Sequence, residues 1–223
     1  MVEGEVLLAE ALSEARFRPY LTECGGDRAQ ALRLYAWNGE AGRAFHGIIG
    51  DLEIVLRNRL HVRLVERYGR EDWWSAQHVR LSTTSNRQIR KAQETLRRRL
   101  AGCYGADDMV AELTFGFWTG LLGTAANYRF QFWQPALRHC FQGYHGPQGR
   151  LKEQFESVRY LRNRIAHYER IYHRDLQADY LTCLRLLRYL SPEAALRHEK
   201  WSQVPEALAR RESVLSGSEE VRL

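Results

Sequence analysis

Leu151-Lys152-Glu153-Gln154-Phe155-Glu156-Ser157-Val158-Arg159-Tyr160-Leu161-Arg162-Asn163-Arg164-Ile165-Ala166-His167 decides the fold class, because its apolar side chains recur at helical spacing. With Leu151 at zero and roughly 100° per residue, Phe155, Val158, Arg162 and Ile165 fall within roughly 40° of one line. Nearly every other periodic segment repeats this way and convincing strand alternation is absent, so the chain is expected to be all-α. Arg162 is the exception on this stripe. A charge there is expensive to desolvate unless it is paired or serves a ligand. A carboxylate such as Glu53 or Glu112 would neutralise it if its role were purely structural.

Caps and breakers set the other boundaries. A first helix is expected over about 5–18, stopping at Pro19. After Gly25-Gly26, Asp27 can cap a long helix carrying Ala31, Leu34, Tyr35 and Trp37, which should end or kink around Gly47 and Gly50. A further helix is expected over about 51–68, closed by Gly69, with Trp73-Trp74 as a loop or single turn packed on the core. Ser85 is expected to cap a helix over about 85–100 that carries Arg90, Lys91, Arg97, Arg98 and Arg99, either a solvated face or a nucleic-acid surface. Residues 107–122 read as one helix, apolar on nearly all sides and therefore internal. Beyond a glycine-rich connection at 143–149 come the helix quoted above, a helix over about 175–190, and a short one begun by Ser191-Pro192-Glu193.

With 223 residues the chain can build one good core, so a single helical domain over 1–211 followed by a frayed tail over 212–223 is the expected organisation. Hydrophobic residues at 44% and charged residues at 27% exclude a disordered chain. The net charge of +6 suits a polyanion or a membrane surface. Of the 33 basic residues only Lys91, Lys152 and Lys200 are lysine, a skew that suits bidentate phosphate contacts and that codon composition alone also produces. Cys24, Cys103, Cys140 and Cys183 form no Cys-x-x-Cys pair, so neither a zinc site nor a disulfide framework is indicated, and no metal or other cofactor is expected. The N-terminus lacks the basic region of a signal peptide, and no apolar run approaches the span of a bilayer. A cytoplasmic protein with no membrane partner is expected.

Arg162-Asn163-x3-His167 is the one place where side chains look chosen for chemistry. Arginine can clamp a phosphate and histidine can move a proton near neutral pH, which together suit cleavage of a nucleic-acid backbone. A bare Arg-x4-His arises by accident roughly once in this composition, but requiring Asn after the Arg lowers that to about 0.02 to 0.03. His167 lies roughly 140° around the helix from Arg162, whereas Asn163 sits one turn before His167 on its side. Either the helix ends or bends near His167, or two copies of the motif meet in a homodimer, which would also supply the second imidazole for acid and base roles. A second Arg57-Asn58 is followed by His61 and preceded by Glu53, so Glu53, Arg57 and His61 share one helix face. That face is either a simple polar stripe or a supporting site. With Asn58, and with Arg164 and Tyr168 flanking the motif, these are the candidate RNA-binding or supporting residues.

Four blocks carry a resemblance: Leu34-Tyr35-Ala36-Trp37-Asn38, Leu52-Glu53-Ile54-Val55-Leu56-Arg57-Asn58, Leu113-Thr114-Phe115-Gly116-Phe117-Trp118 and Leu161-Arg162-Asn163-Arg164-Ile165-Ala166-His167-Tyr168-Glu169. Together they resemble the Abi-like family of bacterial abortive-infection proteins, grouped with the HEPN superfamily. The resemblance implies a HEPN-like helical bundle with additional packed helices. It also implies a metal-independent endoribonuclease acting in phage defence or as a toxin, or a non-catalytic RNA- or partner-binding module. In the active form, the 2′-hydroxyl of RNA attacks the neighbouring phosphate, leaving a 2′,3′-cyclic phosphate, and DNA is spared. The family pattern maps onto Arg162, which would stabilise charge on phosphorus, Asn163, which would orient the site, and His167 as general base or acid. Implied partners are RNA, a second copy of the chain, and an antitoxin or regulatory RNA. Some members carry Tyr two residues after the His, a position held here by Glu169, with Tyr168 beside the histidine.

Overall fold

The computed structural model describes residues 12–222, so the part of the expected first helix before residue 12 lies outside the described residues. Among the described residues every regular element is a helix, and the chain is all-α. None of these helices is long and apolar enough to cross a membrane.

Helix α1 (Glu14–Glu23) runs through Pro19 instead of stopping there. Proline withholds one N–H from the preceding turn, but Phe17 and Tyr20, 5% and 2% exposed, anchor the helix by packing. Helix α2 (Arg28–Tyr68) starts as expected, with the Asp27 carboxylate accepting from Gln30 N at 2.9 Å. It then continues for 41 residues with no break at Gly47 or Gly50. Two interior glycines cost about 1 kcal/mol each. Phe45, Ile48, Leu52, Leu56, Leu60 and Leu64 form an unbroken buried stripe across them, each contributing about 1.5–3 kcal/mol.

The basic helix α3 (Thr83–Arg99) is capped by Ser82, whose hydroxyl accepts from Ser85 N at 3.1 Å. Ser85, the expected cap, is buried instead and accepts from the Tyr128 hydroxyl at 3.0 Å. The five cations expected on this helix are all exposed, opposite buried Ile89, Ala92 and Leu96. Residues 107–122 form two helices, α4 (Ala106–Glu112) and α5 (Phe115–Leu121). The break falls at Thr114, whose hydroxyl accepts from Phe117 N at 3.3 Å and restarts the chain as a new N-cap. Its apolar side chains are internal, as expected.

Helix α6 (Gln148–Ala166) carries the motif. Asp175 caps α7 (Leu176–Leu190) through Ala178 N at 2.9 Å, and Ser191 caps α8 (Pro192–Trp201) through Ala194 N at 3.3 Å. Helices α9 (Val204–Ala209) and α10 (Arg211–Ser216) follow. Residues 212–222 are therefore not a frayed tail. Val214 is fully buried, the Leu215 carbonyl accepts from Arg33 Nε at 2.9 Å, and Arg210 bridges Glu40 and Glu219.

The chain divides into two compact units, one comprising residues 12–48, 161–181 and 200–222 of the described chain, the other 49–160 and 182–199. In the first, the Trp37 indole donates to the Ala207 carbonyl at 2.8 Å, and Tyr20 packs its ring 5.3 Å from Tyr35 and 5.0 Å from Tyr172. In the second, the buried single turn at Trp73-Trp74 places the Trp73 ring 6.4 Å from Phe117 and 5.9 Å from Phe132.

Candidate functional site

Leu151, Phe155, Val158 and Leu161 form the buried stripe of α6, and Arg162 is exposed. The expectation of a buried Arg162 is overturned. The buried face at this end of the helix passes through Leu161, about 80° from the line through Leu151, and Arg162 on the neighbouring side reaches solvent. Glu112, one of its expected partners, instead meets Arg99 at 3.2 Å.

The helix ends just before His167, the first of the two arrangements that the sequence allows. His167 N bonds to the Asn163 carbonyl at 3.0 Å, Tyr168 N to Ile165 at 3.0 Å and Glu169 N to Arg164 at 2.7 Å. The last two form a Schellman cap, whose left-handed position is normally glycine. Here it is Tyr168, with φ +53 and 80% exposure. A side chain in that conformation costs about 1–2 kcal/mol, and almost no burial offsets it. Tyr168→Gly is expected to raise the unfolding free energy by about 1 kcal/mol in urea denaturation; a loss of stability would show that the ring supports the fold.

Two side chains from the first unit hold this turn in place. Arg16 donates to the carbonyls of Tyr168 and His167, and Asn38 fixes the residues that follow. Asn38 Oδ1 accepts from Ile171 N at 2.7 Å and Tyr172 N at 3.1 Å, while its Nδ2 donates to the Glu169 carbonyl at 3.3 Å. The signal for Asn38 is a polar residue among Leu34, Trp37 and Ala41 on the buried face of α2, inside the first block quoted above. His167 is exposed, and its imidazole makes no side-chain hydrogen bond among the described residues.

Arg164 leads to a cleft of about 850 Å³ lined also by Arg18, Arg170, Tyr172 and His173. Its Nε donates to the Arg170 carbonyl at 2.9 Å, and its guanidinium lies 3.6 Å from Glu169. Partial burial, then the charges of Arg164, Arg170 and Arg174, hold the His173 imidazole below the usual histidine value. Spacing rules gave no reason to choose Arg18, Arg170 or His173, because the chain folds them together from α1 and the segment after the motif.

Glu53, Arg57, Asn58 and His61 lie on α2 in the second unit, whereas Arg162, Asn163, Arg164, His167 and Tyr168 lie in the first. His61 has a structural role: its Nδ1 accepts from the fully buried Trp73 indole at 3.3 Å, and burial holds its imidazole below the ordinary value. Arg57 is half-buried and reaches the Ala111 carbonyl at 3.5 Å, and Asn58 is exposed.

His61 and His173 both bind protons less readily folded than unfolded. Their contribution is intact above the unfolded value of about 6.5 and is lost as pH falls through that value towards the lower folded ones. Denaturation at pH 7.5 and 5.5 should show this decline, and it should shrink in His61→Gln; an unchanged decline would remove His61 from the explanation. His61→Ala should also cost about 1–3 kcal/mol at pH 7.5 by stranding the Trp73 N–H.

Among the described residues no group of three or more His, Cys, Asp or Glu side chains is arranged to hold a metal ion. Fold and site define an all-α protein whose exposed helix end presents Arg, Asn and His near an arginine-lined cleft. No protein family, curated protein or solved structure matches this chain.

Proposed function

We propose that the protein is a metal-independent endoribonuclease acting in phage defence or as a toxin, with Arg162, Asn163 and His167 as its machinery. The observation that carries this reading is the motif turn: α6 stops at Ala166, Arg162 and His167 are both exposed, and the backbone carbonyl of Asn163 accepts from the His167 N–H at 3.0 Å. The likeness of the four sequence blocks to the Abi-like family and the HEPN superfamily points the same way. In the reaction, the 2′-oxygen forms a bond to phosphorus, the bond from phosphorus to the 5′-oxygen breaks, and one proton moves from the 2′-hydroxyl to the leaving oxygen. His167 serves one proton transfer, and Arg162 stabilises the charge that develops on the phosphoryl oxygens. A second copy of the chain supplies the other imidazole in this reading.

Purified protein incubated with single-stranded RNA in EDTA should yield fragments ending in 2′,3′-cyclic phosphate and leave DNA of the same sequence whole. Intact RNA would overturn the proposal. A non-catalytic RNA-binding module is the second reading, and one observation favours it: a general base is ordinarily oriented by a further group, and the His167 ring has no side-chain hydrogen bond among the described residues. That reading predicts salt-sensitive RNA binding that survives His167→Ala with no change in RNA length.

A further inference from the structure

An apolar pocket of about 370 Å³ opens in the first unit beside the motif turn, between Tyr35, Gly39 and Gly42 of α2 and Ile165, Tyr168 and Ile171. We propose that this pocket receives one unstacked base of a single-stranded RNA, with Tyr168 as its stacking face. The proposal rests on RNA being the ligand and adds where one of its bases sits.

Three observations converge. The volume lies at the small end of sites that hold compact ligands, and its walls suit a flat ring far better than a phosphate. The glycines create the depth: a Cβ built on Gly39 meets nothing within 4 Å, while one on Gly42 comes to 3.7 Å from Ile165. Tyr168 is the second observation. It is 80% exposed in a left-handed conformation that glycine would occupy without strain, so the burial of its ring does little to offset its conformation in the free protein. Strain kept for an exposed aromatic fits a side chain that waits for a partner to stack on it.

The rim supplies the third. Arg43 and His46 of α2 and Glu169 of the motif segment all line the same pocket and are exposed. A nucleotide brings a phosphate for the Arg43 guanidinium and, in adenine, guanine or cytosine, an exocyclic amine for the carboxylate; an aliphatic peptide side chain brings neither. Tyr168 directly follows His167, so a base on its ring carries its own phosphodiester to the motif turn.

The test is fluorescence anisotropy with a labelled 12-nucleotide oligoadenylate RNA, using His167→Ala protein as the parent so that the strand stays whole. Tyr168→Gly removes the stacking face, and Gly39→Leu fills the pocket where space exists for it. Each should weaken binding about 5- to 150-fold, the factor equivalent to about 1–3 kcal/mol per stacked base. Melting temperatures measured alongside show whether the variants are folded, and Tyr168→Gly is the more informative because it relieves strain. An abasic strand of equal length should bind the parent and both variants alike. Equal oligoadenylate binding by folded variants and parent overturns the pocket and leaves the nuclease reading intact. Equal sensitivity with the abasic strand also overturns it, by assigning the contact to phosphate. A change of oligomeric state in place of RNA affinity overturns it in favour of a contact between copies. A parent that binds no RNA overturns both this proposal and the function on which it rests.

Discussion

Asn38→Ala is expected to cost on the order of 3 to 5 kcal/mol of unfolding free energy and to release the segment after His167. Asn38 is 7% exposed and satisfies three backbone groups at once: the N–H groups of Ile171 and Tyr172 and the carbonyl of Glu169. Ile171 is fully buried and Tyr172 is 4% exposed, so water cannot readily replace the lost side chain at either amide. Each buried polar group left without a partner costs about 1–3 kcal/mol, and here two donors and one acceptor are stranded together. Hydrogen exchange gives a local readout. The Ile171 and Tyr172 amides should exchange much faster in Asn38→Ala, whereas Asn38→Asp keeps an acceptor for both and should keep them protected. A loss below about 1 kcal/mol, with both amides still slow, would show that the segment is held by its packing alone.

His167→Ala is expected to reduce RNA cleavage by about 10²- to 10⁴-fold, the usual worth of a positioned acid or base. The fold should not change, because the ring is exposed and the residue's bonds run through its backbone. Arg162→Ala should lower the rate by about 10²- to 10³-fold if its guanidinium meets the developing charge. Its exposure also limits the stability cost to no more than about 1 kcal/mol. This separates chemistry from architecture: a large loss of rate with an unchanged melting temperature supports the assigned roles. Cleavage by His167→Ala at the wild-type rate would remove the histidine from the reaction.

Much of the architecture is legible in the sequence. Helical periodicity identifies an all-α chain, and Asp27 and Ser191 mark helix starts because a short polar side chain can satisfy an N–H that the first turn leaves open. Breakers were less reliable. Pro19 and the pair Gly47 and Gly50 read as ends, yet α1 and α2 run through them, since local propensity differs by only a few kcal/mol and buried Tyr20, Phe45 and Leu52 exceed it. Thr114 failed in the opposite direction: an apolar run read as one helix is divided because its hydroxyl restarts the chain.

The site divides in the same way. The sequence by itself determined the helical class and placed Asn163 one turn before His167, because both follow from spacing along one helix. Only the tertiary structure decided that Arg162 reaches solvent, that Tyr168 is held in the left-handed turn, and that Arg18, Arg164, Arg170 and His173 share a cleft. It also made His61 the acceptor for the Trp73 indole and Asn38 the fastening of the motif segment. The physical reason is range. Caps and periodicity act over one or two turns, whereas burial, cleft formation and the partner of a buried polar atom depend on residues that no local spacing relates, from the 12 positions between His61 and Trp73 to the 133 between Asn38 and Ile171.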